Sequence, residues 1–171
     1  MAKLCNIRRL SIQFRRAIEK ARDVGEFERD ICFFQFPQGC CGDASDLLNE
    51  FLMNNGMSLW YVCGTHYYHG KSTEEAFYKM QSHAWLTTED PRKNQRYAII
   101  DITGDQFKKQ KDYLNYDIPV YVGEMDDFHR LFRVEPFDIR PCCRLAELGA
   151  LCRTRLVTLY QIITSYIDSN E

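Results

Sequence analysis

Long apolar runs, a surplus of one charge and low-complexity stretches are all missing from this chain. No apolar segment approaches the roughly 20 residues needed to span a bilayer. The opening Met1-Ala2-Lys3-Leu4-Cys5 has neither an uninterrupted apolar stretch nor a small-residue cleavage pattern. These absences exclude a membrane span and an export signal from the expectation, and a cytoplasmic protein without a membrane partner is expected. The formal net charge is −2, so no basic balance points to nucleic acid as a partner. Proline is scarce, at five residues, and no repeat or linker divides the chain. A single domain over residues 1–171 is expected. With 45% apolar residues and 13% aromatics, the chain can fill a sizeable core.

Cysteine, by contrast, is plentiful: positions 5, 32, 40, 41, 63, 142, 143 and 152. An even count invites a disulfide framework, but the chain is not short and carries no export signal, so reduced thiols are expected. Most of them read as small apolar core residues.

Helical periodicity marks residues 6–24, where Leu10, Phe14, Ile18 and Ala21 share a face and Gly25 offers a stop. The arginine pairs Arg8/Arg9 and Arg15/Arg16 read as a solvated face. Ile31 to Phe36 is an apolar run that reads as buried and extended, closed by Pro37 and Gly39. A helix from Cys41 to Asn54 follows, with Leu47, Leu48, Phe51 and Leu52 as its apolar stripe and Asn55-Gly56 ending it. Leu59–Cys63 reads as a strand, 64–71 as a loop, and Thr73 as the cap of a short helix to about Gln81. His83–Thr88 and Tyr97–Ile102 flank a charged turn and read as a hairpin. Residues 104–113 read as a short helix or an irregular segment, and Pro119–Val122 as a further strand. A long apolar helix is expected over 141–168, beginning near Cys142 and weakened at Gly149, serving either as core or as a partner-binding surface.

Chemistry concentrates at Gln35-Phe36-Pro37-Gln38-Gly39-Cys40-Cys41-Gly42-Asp43. A thiol at a helix start meets unsatisfied N–H groups and the positive end of the helix dipole. Both favour the thiolate, which is the nucleophile. His83, at the start of a strand, is a candidate base, and a hairpin can bring it beside Asp101. Nucleophile, base and orienting acid are the three parts of a thiol acyl-transfer site.

Taken together, Gly39-x-Cys41-x-Asp43-x-Ser45-x-Leu47-Leu48, then Ser82-His83-Ala84-Trp85-Leu86, then Ile99-Ile100-Asp101-Ile102-Thr103 resembles the transglutaminase-like branch of the papain-like cysteine enzymes. The motifs fall within residues 31–107 and leave the first helix and the C-terminal third uncovered. The resemblance implies an α+β fold, with the cysteine-bearing helix packed on an antiparallel sheet. It also implies Cys41, rather than its neighbour Cys40, as nucleophile, His83 as general base and acid, and Asp101 as orienting acid. Gln35 stands six residues before Cys41, as the oxyanion glutamine does in papain-type enzymes, with Gln38 as the competing candidate. The chain lacks the Cys-Trp that follows the turn in papain and in animal transglutaminases, which favours a small microbial-type hydrolase over a protein crosslinker.

The expected function is therefore a thiol-dependent hydrolase or acyltransferase acting on an amide or related acyl bond: a protease, an amidase or a glutamine deamidase. A protein or peptide is the expected substrate, and no metal or organic cofactor is required. The alternative is a non-catalytic interaction module that docks through its C-terminal helix. A third pattern, Cys63-x-x-His66-x-x-His69, has zinc-ligand residue types without a recognised zinc spacing. Asp43 reads as a helix cap, Ser45 as packing or capping, and Trp85 as core or as a shield over the His–Asp pair. Asp101 could alternatively cap the turn before Gly104.

Overall fold

A computed structural model describes residues 2–67, 80–93, 95–108 and 114–167. Helix α1 spans Ala2–Asp23, longer at its start than the periodicity suggested. It buries Ile7, Leu10, Phe14, Ile18 and Ala21, one stripe at helical spacing. Helix α2 runs Cys41–Asn54, with the boundaries expected from its stripe and its Asn-Gly stop. Helix α3 spans only Ala150–Ser165. Gly149 is its N-cap, and a 3-10 turn over Leu145–Glu147 precedes it. The expected long helix from Cys142 is thus corrected: that stretch instead follows a strand, Ile139–Pro141, that the pattern did not disclose. No described helix is long and apolar enough to cross a membrane.

Five strands form one antiparallel sheet: β1 (Trp60–Tyr67), β2 (Met80–Thr87), β3 (Ile99–Asp101), β4 (Tyr121–Gly123) and β5 (Ile139–Pro141). Their spatial order is β4-β3-β2-β1-β5. The architecture is α+β. Strand β1 continues through residues 64–67, where a loop was expected, because all eight of its residues pair with β2. The helix expected over 72–81 lies outside the described residues except for Met80 and Gln81, which are strand.

Alternation divides the sheet into two faces. Leu86, Ile100 and Val122 join the core built with α1, α2 and α3, to which α3 contributes Leu156, Leu159 and Ile163. The apolar stripe of α3 is therefore spent on the core. The opposite face carries Val62, Trp85, Ile99 and Ile139 beneath an aromatic layer of Phe107, Tyr116, Phe128 and Phe132.

The segment before α2 is not extended. Phe33–Gln35 is a 3-10 turn that buries Phe33 and Phe36 while Ile31 and Phe34 are exposed. Asp30 accounts for this, since its carboxylate accepts the N–H groups of Cys32 and Phe33 and curls the chain. Its other commitment is to Arg155 of α3, at 2.8 Å.

Candidate active site

Cys41 is the first residue of α2. Gly39 adopts φ +68°, a left-handed conformation natural to glycine, and so turns the chain sharply into the helix. The N-cap residue, Cys40, makes no side-chain capping bond. The N–H groups of the first turn are thereby left to the site. Cys40 points away from it: buried, with its thiol on the Pro37 carbonyl at 3.3 Å. Burial, first, and the neighbouring Cys41 and Asp43 push the Cys40 thiol far up, which keeps it neutral.

His83 lies on β2 and Asp101 at the end of β3. The register pairs Leu86 with Ile100 and Thr87 with Ile99, so continuing it sets Asp101 opposite Trp85, diagonal to His83 on the same face. His83 Nε2 donates to Asp101 Oδ2 at 2.8 Å. With Nε2 committed, Nδ1 is the nitrogen turned toward Gln106 and Cys41, and the ring lowers the Cys41 pKa. Beyond Leu86 and Thr87, β3 no longer pairs with β2. The first turns of α2 pack against β2 there, and Ser45 Oγ donates to the Ala84 carbonyl at 3.3 Å.

Electrostatics favour an ion pair. Burial raises the Cys41 pKa, but the bonds from His83, Ala84 and Gln106 and the charge of His83 outweigh it, leaving the thiol below its ordinary value. Burial alone would lower the His83 pKa; the Asp101 charge and hydrogen bond, helped by Cys41, instead raise it to about 9. Asp101 is disfavoured as a carboxylate by burial, yet His83 and His129 hold it well below the usual range. The pair is dry. His83 is fully buried, and its ring centroid lies 5.2 Å from Phe107, 5.4 Å from Phe132 and 5.6 Å from Trp85. Low local polarity strengthens the His–Asp bond. Trp85 is both core and shield.

Two further residues complete the cluster, and neither was singled out in the sequence. His129 places Nε2 3.3 Å from Asp101 Oδ2 and Nδ1 2.6 Å from Asp126 Oδ1. Tyr116 donates to the other Asp126 oxygen at 2.9 Å. Being one of only four histidines, three residues after Asp126, was its available signal. Gln106 brings Nε2 to 3.0 Å from His83 Nδ1 and helps hold the Cys41 pKa down. Its backbone N–H donates to Thr103, in the 3-10 turn Gly104–Phe107. Asp101 also caps that turn, its Oδ1 accepting the Thr103 N–H at 2.8 Å, so the capping and His-pairing expectations for Asp101 are both met.

Gln35 is not brought to the site. It lies in the 3-10 turn with its side chain exposed, and among the described residues it makes no hydrogen bond to Cys41 or His83. The curl imposed by Asp30 removes the extended geometry that would aim it. Gln38 sits closer, donating from Nε2 to the Gln106 carbonyl at 2.9 Å. Asp43 does not cap α2: it pairs with Arg155 at 2.6 Å. Cys63 and His66 cannot converge on a cation, because positions three apart on β1 face opposite sides of the sheet. His66 bonds the Leu131 carbonyl, and His69 lies outside the described residues. Among the described residues, the three side chains that could hold a cation are His83, Asp101 and His129, whose ligand atoms lie within 4.8 Å of one another. Both Nε2 atoms aim at one Asp101 oxygen, so an ion there would replace the protons between them and draw His83 away from Cys41. All eight cysteines are free thiols.

No family model, no curated protein and no solved structure matches the chain.

Proposed function

We propose that the protein is a thiol-dependent hydrolase or acyltransferase with a papain-like, transglutaminase-like core, in which Cys41, His83 and Asp101 work as a triad. The observation that carries this reading is the convergence of the Cys41 thiol, at a helix start, on a fully buried His83 whose Nε2 bonds Asp101 at 2.8 Å. Structural cysteines and histidines have no need of that order, whereas nucleophilic catalysis requires it.

In this reading the Cys41 thiolate attacks the carbonyl carbon of an amide or related acyl group, and the carbonyl π electrons move onto oxygen. His83 carries the thiol proton on Nδ1 and delivers it to the leaving amine. Asp101 holds the ring through Nε2 and stabilises its charged form. The resulting S-acyl Cys41 is resolved by water, giving a hydrolase or deamidase, or by an amine, giving a transferase. The three residues perform these steps without a metal or organic cofactor, and a protein or peptide side chain is the substrate class proposed.

Iodoacetamide labelling across pH, read by peptide mass spectrometry at each cysteine, tests the reading. Cys41 is expected to label faster than the other seven cysteines near neutral pH, with an apparent pKa well below the roughly 8.5 of a free thiol. His83→Ala is expected to abolish that advantage. An inert Cys41, or one titrating as an ordinary thiol in both proteins, would sink the reading and leave a non-catalytic interaction module on the same fold.

A further inference from the structure

We infer that Gln106 is the oxyanion donor of this site, acting with the free N–H groups at the head of α2; the inference rests on the acyl-transfer reading above. Gln106 is buried, at 6% exposure, and every polar group it has except one is committed to positioning it. Its backbone N–H is tied to Thr103 at 3.0 Å. Its carbonyl accepts from Gln38 Nε2 at 2.9 Å, and its side-chain Oε1 accepts the Gly39 N–H at 3.3 Å. The Gly39 bond fixes which end of the amide is which, because an N–H can only point at the oxygen. The remaining group, the Nε2 amide, faces the reacting pair, 3.0 Å from His83 Nδ1 and close enough to Cys41 to help lower its pKa.

An oxyanion formed by attack of Cys41 must appear beside the sulfur. Two sets of donors lie there: the first-turn N–H groups of α2, which Cys40 does not cap, and the two hydrogens of Gln106 Nε2. The bond from Nε2 to His83 Nδ1 can exist only while that nitrogen is unprotonated. In the Cys41–His83 ion pair Nδ1 already carries the proton and cannot accept from Gln106, so the Nε2 hydrogens are available to the sulfur and the developing oxyanion. A pinned donor of this kind requires no reorganisation in the transition state, the condition under which oxyanion stabilisation is strongest. A papain-type arrangement would use a glutamine upstream of the cysteine; here the donor comes from the turn that follows Asp101.

The test compares two reactions of the same thiolate. With p-nitrophenyl acetate, Cys41 attacks the ester carbonyl, the C–S bond forms as electrons move onto oxygen, and collapse of the adduct expels p-nitrophenolate to leave S-acetyl Cys41. With iodoacetamide, Cys41 displaces iodide at a saturated carbon and no charge builds on the carbonyl oxygen. Gln106→Met keeps the side-chain volume and removes the donor. Compared at a pH above the labelling midpoint of both proteins, where Cys41 is fully thiolate in each, acetylation is expected to fall about 100-fold while alkylation stays within about threefold of wild type. A parallel fall in both rates would make Gln106 a positioning residue only, and an unchanged acetylation rate would remove it from the chemistry; either overturns the inference. A selective loss in Gln35→Ala instead would return the role to Gln35. Should Gln106→Met fail to fold, Gln38→Ala removes one tether and keeps the amide, and the acetylation-to-alkylation ratio is expected to fall about tenfold. An unchanged ratio there overturns the inference. If wild-type Cys41 reacts with neither reagent faster than the other cysteines do, the acyl-transfer reading itself has failed.

Discussion

His83 carries two opposing influences, and their balance sets the working range of the site. Burial disfavours its charge, while Asp101 and Cys41 favour it and raise the pKa to about 9. A group held above its unfolded value of about 6.5 adds stability that is fully present below that pH and fades as pH rises through the folded value. Asp101, held low, adds stability that is present above about pH 4 and lost in acid. The pair therefore stabilises most between about pH 4 and 6.5, and the benefit drains away between about 6.5 and 9. Asp101→Asn removes the charge behind it. The gap in urea midpoint between wild type and Asp101→Asn is expected to be widest near pH 6, on the order of 3 kcal/mol, and to narrow by pH 10; a gap independent of pH would mean that Asp101 does not hold a charged His83. Cys41, His83 and Asp101 were legible in the sequence because a thiol at a helix start, one of only four histidines and a strand-end carboxylate stand in a recognisable order. Gln106 was not, because a glutamine becomes a site residue only through the 3-10 turn that brings it back over the sheet.

At the scale of elements, the site depends on how closely the aromatic layer approaches β1 and β2. Gly64 pairs with His83, and a Cβ added there would sit 2.7 Å from Phe132 Cβ and 3.1 Å from Trp85 Cη2. Gly64→Ala is therefore expected to cost about 1–3 kcal/mol by overpacking. Because Phe132 and Trp85 wall in His83, the same variant should also slow selective labelling of Cys41. Thermal melts and the labelling rate check both; a neutral melt would show that the layer yields without strain. Helix α2 was readable because stripe, first turn and Asn-Gly stop all agree. Elsewhere local signals conflicted with tertiary demands. Residues 31–36 have strand composition, but Asp30 and its ion pair with Arg155 curl them into a 3-10 turn. The apolar run after Cys142 looks helical, yet Cys142 N–H bonds the Leu59 carbonyl beside β1 and Gly149 starts the helix later. Partners distant in sequence decided both cases, and periodicity does not register them.

Over the whole molecule, one cation ties these elements together. Arg15 lies on α1, where periodicity suggested a solvated face, yet it is 4% exposed. Its guanidinium donates to both carboxylate oxygens of Asp105 at 2.9 Å and to the Ile102 carbonyl at 2.5 Å, and Nε donates to Glu19 at 2.8 Å. It also lies 4.5 Å over the Phe36 ring, in the turn leading to Cys41. The segment it grips, from Ile102 to Asp105, links Asp101 to Gln106, so α1 braces both the Cys41 side and the Asp101–Gln106 side of the site from below. Arg15→Met keeps most of the apolar stem and leaves Asp105 without its fork. Breaking a buried pair in this way is expected to cost about 3–5 kcal/mol, much of it from the stranded carboxylate. Pairing the change with Asp105→Asn should recover part of that loss, because the second substitution removes the stranded charge. The two variants differ at the candidate site as well as in stability. If α1 sets the geometry, the double variant regains stability at low temperature while Cys41 labelling stays slow, since an amide and a methionine cannot rebuild the grip on the Ile102 carbonyl. Denaturant midpoints and labelling rates measured on the same samples separate the two effects. Full recovery of labelling along with stability would mean that Arg15 matters only to the fold and that the site is held by the sheet and α2 alone.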